Sequence, residues 1–122
     1  MALRILLADD EKEFVDTLAE RLTLRGYAPY VVYDGISALQ AATPEKPDVV
    51  VLDLFMPGMS GEEVLAKLRA DPRFNGLHII AYTAHALPEE KQRLIDAGFD
   101  DLLIKPISLK AVELALANFL PA

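Results

Sequence analysis

Asp48-Val49-Val50-Val51-Leu52-Asp53-Leu54-Phe55-Met56-Pro57-Gly58 is the stretch on which the reading of this chain turns. Its apolar core, Val49 to Leu52, reads as a strand buried on both faces. Pro44 and Pro47 before it serve as turn signals. A lone charge is rarely placed beside valines, because an unpaired ion in apolar surroundings either destabilises the fold or shifts its pKa. Asp53 must therefore be useful. The acidic run Asp9-Asp10-Glu11 follows the first apolar segment, and Lys105 follows the last. A divalent cation and a lysine would let Asp53 stay ionised and act as a nucleophile.

Working outward, short apolar runs alternate with amphipathic ones. Leu3 to Ala8, Ala28 to Val32, His78 to Tyr82 and Leu102 to Ile104 read as the other strands. Lys12 to Arg25 carries Val15, Leu18 and Leu22 at helical spacing and stops at Gly26. Ile36 to Ala42 is a short helix, and Glu62 to Arg69 turns Val64, Leu65 and Leu68 inward. Pro88 opens a fourth helix that Gly98 closes, with Leu94 and Ile95 as its large apolar anchors. Ser108 caps the last, whose Leu109, Val112, Leu116 and Phe119 share a face. Five βα units in succession imply a doubly wound α/β fold: a five-stranded parallel sheet covered on both faces. Periodicity alone does not choose the strand order. In the common order 2-1-3-4-5, ligands bind at the carboxyl ends of the strands, near the switch point between strands 1 and 3.

With 122 residues the expectation is one domain spanning 1–122, with a proper core. Just over half of the residues are apolar and a quarter charged, as in soluble globular domains. The absence of cysteine excludes disulfides and thiolate metal sites. Neither a signal stretch nor an apolar run of membrane-spanning length is present, so a cytoplasmic home without membrane insertion is expected. The formal charge of −7 argues against direct nucleic-acid binding.

In such a sheet the residues after strands 1, 3, 4 and 5 meet at one edge: Asp9 and Asp10, Asp53, Thr83, and Lys105. Carboxylates with a backbone carbonyl suit Mg²⁺, a hard cation that keeps several waters. Bound near Asp53, it would offset carboxylate repulsion and neutralise charge on a transferring phosphoryl group. A carboxylate accepts phosphoryl as an acyl phosphate. Lys105 and Thr83 supply a charge and a hydrogen bond to the phosphoryl oxygens.

Leu-Leu-Ala-Asp9-Asp10-Glu11, Asp53-Leu-Phe-Met-Pro57-Gly58, Tyr-Thr83-Ala84-His and Leu-Leu-Ile-Lys105-Pro106 together resemble the receiver domain of two-component response regulators, which has the flavodoxin-like order 2-1-3-4-5. The resemblance covers essentially the whole chain. It implies that Asp53 accepts phosphoryl from a sensor histidine kinase, a histidine phosphotransfer protein or a small phosphodonor. Asp10 and Asp53 would ligate Mg²⁺ directly, with Asp9 holding it through water and the Phe55 carbonyl completing the protein ligands. Thr83 and Lys105 would grip the phosphoryl group, with a cis Lys105-Pro106 bond. The fourth helix, fifth strand and fifth helix would contact an unidentified downstream protein. A monomer is expected, with dimerisation on phosphorylation left open. From the start at Met1 and the tail at Ala122 a free-standing protein is expected, with a domain excised from a hybrid kinase left open.

Three positions depart from the family pattern. Leu102 stands where many members carry an inward-rotating aromatic. Phe55 is bulkier than usual two residues after the nucleophile. His85 lies two after Thr83, and with Phe55 is expected to tune the phosphoryl lifetime. Glu11, Asp100 and Asp101 read as solvated charges, His78 as structural, and Tyr27, Tyr30, Tyr33 and Tyr82 as packing or surface residues. Other classes fit less well. A dehalogenase-type phosphatase needs its nucleophile after the first strand and a cap domain. A flavin carrier needs a phosphate-cradling loop where this chain is acidic. A degenerate receiver acting as a constitutive interaction module would not need the intact acidic group, Thr83 and Lys105.

Overall fold

Branched aliphatic runs and amphipathic stretches settle into five βα units: β1 (Arg4–Ala8), α1 (Lys12–Leu24), β2 (Ala28–Val32), α2 (Gly35–Glu45), β3 (Val49–Asp53), α3 (Gly61–Arg69), β4 (His78–Thr83), α4 (Pro88–Ala97), β5 (Asp101–Ile104) and α5 (Leu109–Phe119). The sequence reading missed only a single 3₁₀ turn, Pro72–Phe74, before β4. The computed structural model describes residues 2–84, 87–105 and 108–119, with side chains through residue 117. Every strand pairing is parallel, in the order β2-β1-β3-β4-β5. β3 is the middle strand, and all of its residues are buried, which is why its sequence is continuous rather than alternating in hydrophobicity.

Successive side chains leave opposite faces of a strand, and two core layers result. Leu6, Ala8, Val50, Leu52, Ile79 and Ala81 meet α2, α3 and α4. Ile5, Leu7, Val49, Val51, Ile80, Tyr82 and Leu103 meet α1 and α5. Each aliphatic side chain removed from water in this way contributes about 1.5–3 kcal/mol.

The helix ends follow local chemistry, with two corrections. Asp34 accepts the Ser37 N–H at 2.7 Å and starts α2 just before the expected point. Pro44, read as a turn signal, lies inside the last turn of α2 instead. It removes one hydrogen bond from the ladder, and the helix ends one residue later at Glu45, followed by Lys46, which is left-handed with φ 46°. In α4, Leu94 is fully buried but Ile95 is 38% exposed, so the helix has one apolar anchor rather than two. Its first residue is Pro88, and Leu87 before it offers no side-chain cap. Ser108 caps α5 as expected, accepting the Ala111 N–H at 3.1 Å. The Phe119 side chain lies outside the described residues.

At the amino edge of the sheet, one arginine fastens several elements together. Arg69, at the end of α3, donates to the Gly98 carbonyl after α4 (2.9 Å), to the Leu77 carbonyl before β4 (2.7 Å) and to Asp100 Oδ2 before β5 (2.7 Å). Asp100 Oδ2 also accepts the Ile79 N–H at 2.8 Å. Asp100 is exposed, as expected of a solvated charge, and serves as a structural acceptor as well.

Close approach at the opposite edge fixes α3 against β3. A Cβ at Gly61 would collide with the backbone carbonyl of Asp53, whereas a Cβ at Gly76 would meet nothing within 4 Å. Gly61→Ala is expected to destabilise the protein by about 1–3 kcal/mol through overpacking. Gly76→Ala should be neutral or slightly stabilising, because it lowers the entropy of the unfolded chain. Urea midpoints of the two variants check this.

Candidate functional site

The rows of side chains that build the α1–α5 layer end in charge. Ile5 and Leu7 lead to Asp9, Val49 and Val51 to Asp53, and Leu103 to Lys105. Two-residue alternation keeps each of these on the face of its predecessors. Strand pairing then brings the row ends together, since β1 and β4 both flank β3, and β5 flanks β4.

Asp53 is 2% exposed. Its Oδ1 accepts the Phe55 N–H at 3.2 Å, and its Oδ2 accepts Lys105 Nζ at 3.0 Å. Asp9 is fully buried; its Oδ1 accepts the Glu11 N–H at 3.0 Å. Asp9 Oδ2 makes no hydrogen bond among the described residues, and Lys105 Nζ stands 3.9 Å away. Asp10 is exposed, and one carboxylate oxygen from each of Asp9, Asp10 and Asp53 lies within 4.8 Å of the others. The Lys105 N–H donates to the Thr83 carbonyl at 2.7 Å, which carries the lysine along the end of β4. Thr83 is buried and follows Tyr82, the register partner of Asp53. All of the expected side-chain positions thus gather at one edge. The Phe55 ring is 74% exposed beside them. Leu102 is half-buried, packed on the α2–α4 layer. His85 and the Lys105-Pro106 bond lie outside the described residues.

Electrostatics mark the cluster as one that wants a cation. Burial pushes the Asp9 carboxyl up to about 7; the Glu11 N–H opposes this, and the neighbouring Asp53 carboxylate adds to it. Burial would lower Lys105, but hydrogen bonds to Glu11 and Asp53 outweigh it and raise its pKa. A fully buried carboxylate oxygen without a hydrogen bond, two carboxylates beside it and an all-oxygen donor set fit Mg²⁺.

Two residues make contacts that the sequence did not show. Glu11 is exposed as expected, and its Oε1 also accepts Lys105 Nζ at 2.9 Å, which joins it to the site. Tyr82 is buried with its ring beneath Lys105 Nζ, 4.5 Å from the centroid. Counting alternate residues back from Lys105 and along β4 would have put Tyr82 on the site's face.

Residues 5–117 match the family model of the response regulator receiver domain. The chain belongs to this family. The response regulator MprA of Mycobacterium ulcerans is 36% identical over 110 residues, covering 90% of this chain and 47% of that protein. MprA of Mycobacterium tuberculosis H37Rv shows the same identity and coverage. The chain spans about half the length of these curated relatives. Among solved structures, the chemotaxis response regulator CheY4 of Vibrio cholerae superposes with a TM-score of 0.91 at 27% identity, covering 98% of this chain and all of the other. The receiver domain of sensor histidine kinase PA1611 from Pseudomonas aeruginosa, solved with magnesium coordinated in its active-site cleft, gives 0.87 at 28% identity, covering 98% of each. The fold expected from sequence, five parallel strands in the order 2-1-3-4-5, is that of these receivers. Among the described residues no helix is long and apolar enough to cross a membrane.

The raised Asp9 pKa has a sign that can be measured. Between the ordinary carboxyl value and about 7, the folded receiver binds more protons at Asp9 than the unfolded chain does. This contribution to stability therefore falls as pH rises through that window. In the metal-free protein, Asp9→Asn should remove that loss and be more stable than wild type above pH 7. Added Mg²⁺ should stabilise wild type and do little for the variant. Thermal melts across pH, with chelator or with Mg²⁺, check both.

Proposed function

We propose that residues 1–122 act as a single receiver domain that is phosphorylated on Asp53 and switches the binding of a protein partner. The observation that carries this reading is a buried carboxylate with one oxygen held by Lys105 Nζ at 3.0 Å and the other by the Phe55 N–H. Both contacts fix its orientation. Asp10, Asp53 and the Phe55 carbonyl would hold Mg²⁺, with Asp9 alongside. When bound, the ion supplies charge neutralisation for the carboxylates and the transferring group.

A carboxylate oxygen of Asp53 attacks phosphorus. The new O–P bond forms as the donor's N–P bond, or the O–P bond of a small acyl phosphate, breaks and the leaving group keeps the electron pair. Lys105 exchanges its contact with Asp53 for one with a phosphoryl oxygen and holds developing charge. Thr83 offers its hydroxyl to a second oxygen. A groove of about 750 Å³ between α1 and α5, with Asp10, Glu11, Phe14, Thr17, Arg21 and Leu109 among its walls, opens beside the acidic cluster. It leaves room for the donor, a sensor histidine kinase or histidine phosphotransfer protein of the cytoplasm.

The output runs through α4 and β5. With Leu94 as the only buried side chain of α4, this helix is the element most readily displaced by new contacts at Thr83. Leu102 is already packed inward and can only repack, so the readout here is aliphatic rather than aromatic.

Acetyl phosphate with Mg²⁺ should add one phosphoryl group to the intact mass of the wild type. Chelator or Asp53→Asn should abolish it, and Lys105→Ala should slow it by about 10²-fold, as loss of a preorganised donor does. An adduct surviving in Asp53→Asn would show that another residue is the acceptor.

A further inference from the structure

Lys105 has three N–H groups, and two point at Glu11 and Asp53, at 2.9 and 3.0 Å. On its remaining side lies an aromatic face. The Tyr82 ring centroid is 4.5 Å from Nζ. Tyr82 is 2% exposed and pinned between Asp53 on β3 and Leu103 on β5. The Phe14 ring of α1 backs it, with centroids 6.1 Å apart and planes tilted by 30°.

We propose that Tyr82 is a positioning residue for phosphoryl transfer, its ring holding the Lys105 ammonium in place while the lysine changes oxygen partners. The proposal rests on the reading of Asp53 as acceptor and Lys105 as its cation. A carboxylate partner must release Lys105 when a phosphoryl oxygen arrives. A ring face need not, because it attracts the cation through its quadrupole without occupying a lone pair or adding net charge. The phenol stays neutral: burial and then the charges of Asp9, Glu11 and Asp53 all raise its pKa. The ring thus adds no further negative charge to a site that already holds Asp9, Asp10, Asp53 and Glu11. Burial away from water also strengthens the contact relative to a surface one.

Row order makes this geometry unavoidable. Ile80 and Tyr82 form the β4 row of the α1–α5 layer, as Leu103 and Lys105 form the adjacent β5 row. The lysine leaves β5 one step beyond the ring and lies over it. An aliphatic residue at 82 would fill the same layer yet give the cation nothing to face.

The experiment is a double-mutant cycle. Wild type, Tyr82→Phe and Tyr82→Leu are compared, each with Lys105 and with Lys105→Ala, for the rate of phosphorylation by acetyl phosphate at saturating Mg²⁺. Tyr82→Leu should slow the reaction about five- to tenfold, and Tyr82→Phe should recover most of the loss. In the Lys105→Ala background Tyr82→Leu should have no further effect, and the Mg²⁺ dissociation constant should not move. A Tyr82→Leu rate equal to wild type, or an equal loss with and without Lys105, would overturn the proposal.

Should Tyr82→Leu not fold, the ring current settles the contact directly. In wild type and Tyr82→Phe, the Lys105 side-chain protons should resonate upfield of ordinary lysine, and their absence there would overturn the proposal. Loss of all phosphorylation in wild type, with the upfield shift present, would instead strike the functional reading and leave the contact standing.

Discussion

Two carboxylates shut away from water at the end of a parallel sheet, with a lysine between them, form the interaction on which this receiver is built. Asp9 and Asp53 are both almost inaccessible, and Lys105 Nζ reaches the two from 3.9 and 3.0 Å. Charges so placed repel, and desolvation strengthens the repulsion. The fold holds them because each continues a fully packed row. Val49 and Val51 cannot move without disturbing the α1–α5 layer, so Asp53 cannot retreat. The instability sits where a hard cation or a phosphoryl group would relieve it. Stored repulsion and readiness to bind are the same property.

Much of this was legible in the sequence because parallel α/β topology converts linear order into position. A polar residue after each of these buried runs must come to the same edge, so the sequence alone gathers Asp9, Asp53, Thr83 and Lys105. The apolar rows were equally plain, since continuous Val and Ile runs admit few readings. Residue-level roles were harder wherever a partner is remote in sequence. Asp100 is exposed as read, but its ion pair with Arg69 was hidden because Arg69 lies on another element. Glu11, read as a solvated charge, is exposed but also meets Lys105 at the far end of the chain. Pro44 was read as punctuation by a rule that holds in helix interiors, while the last turn of α2 tolerated it.

Membership in the receiver family accounts for the common parts of the site, and the departures show how this chain uses them. An aliphatic Leu102 packs on the α2–α4 layer, whereas aromatic Tyr82 packs on the α1–α5 layer beneath the lysine. The large flexible ring of many relatives at the first position is absent, and a large fixed ring stands at the second. In this chain the large ring therefore lies on the face of the sheet that carries Asp9, Asp53 and Lys105.

The Arg69 staple gives α4 a built-in mechanical bias. Its carboxyl end is tied through the Gly98 carbonyl to the same guanidinium that grips the lead-ins to β4 and β5. Its amino end begins at an uncapped, exposed Leu87. A ten-residue helix is about 15 Å long. Rotation about the stapled end therefore leaves Gly98 nearly still and sweeps Leu87 through the widest arc. Such a rotation would make the helix a lever with its fulcrum at the far edge of the sheet and its tip on the side where Thr83 ends β4.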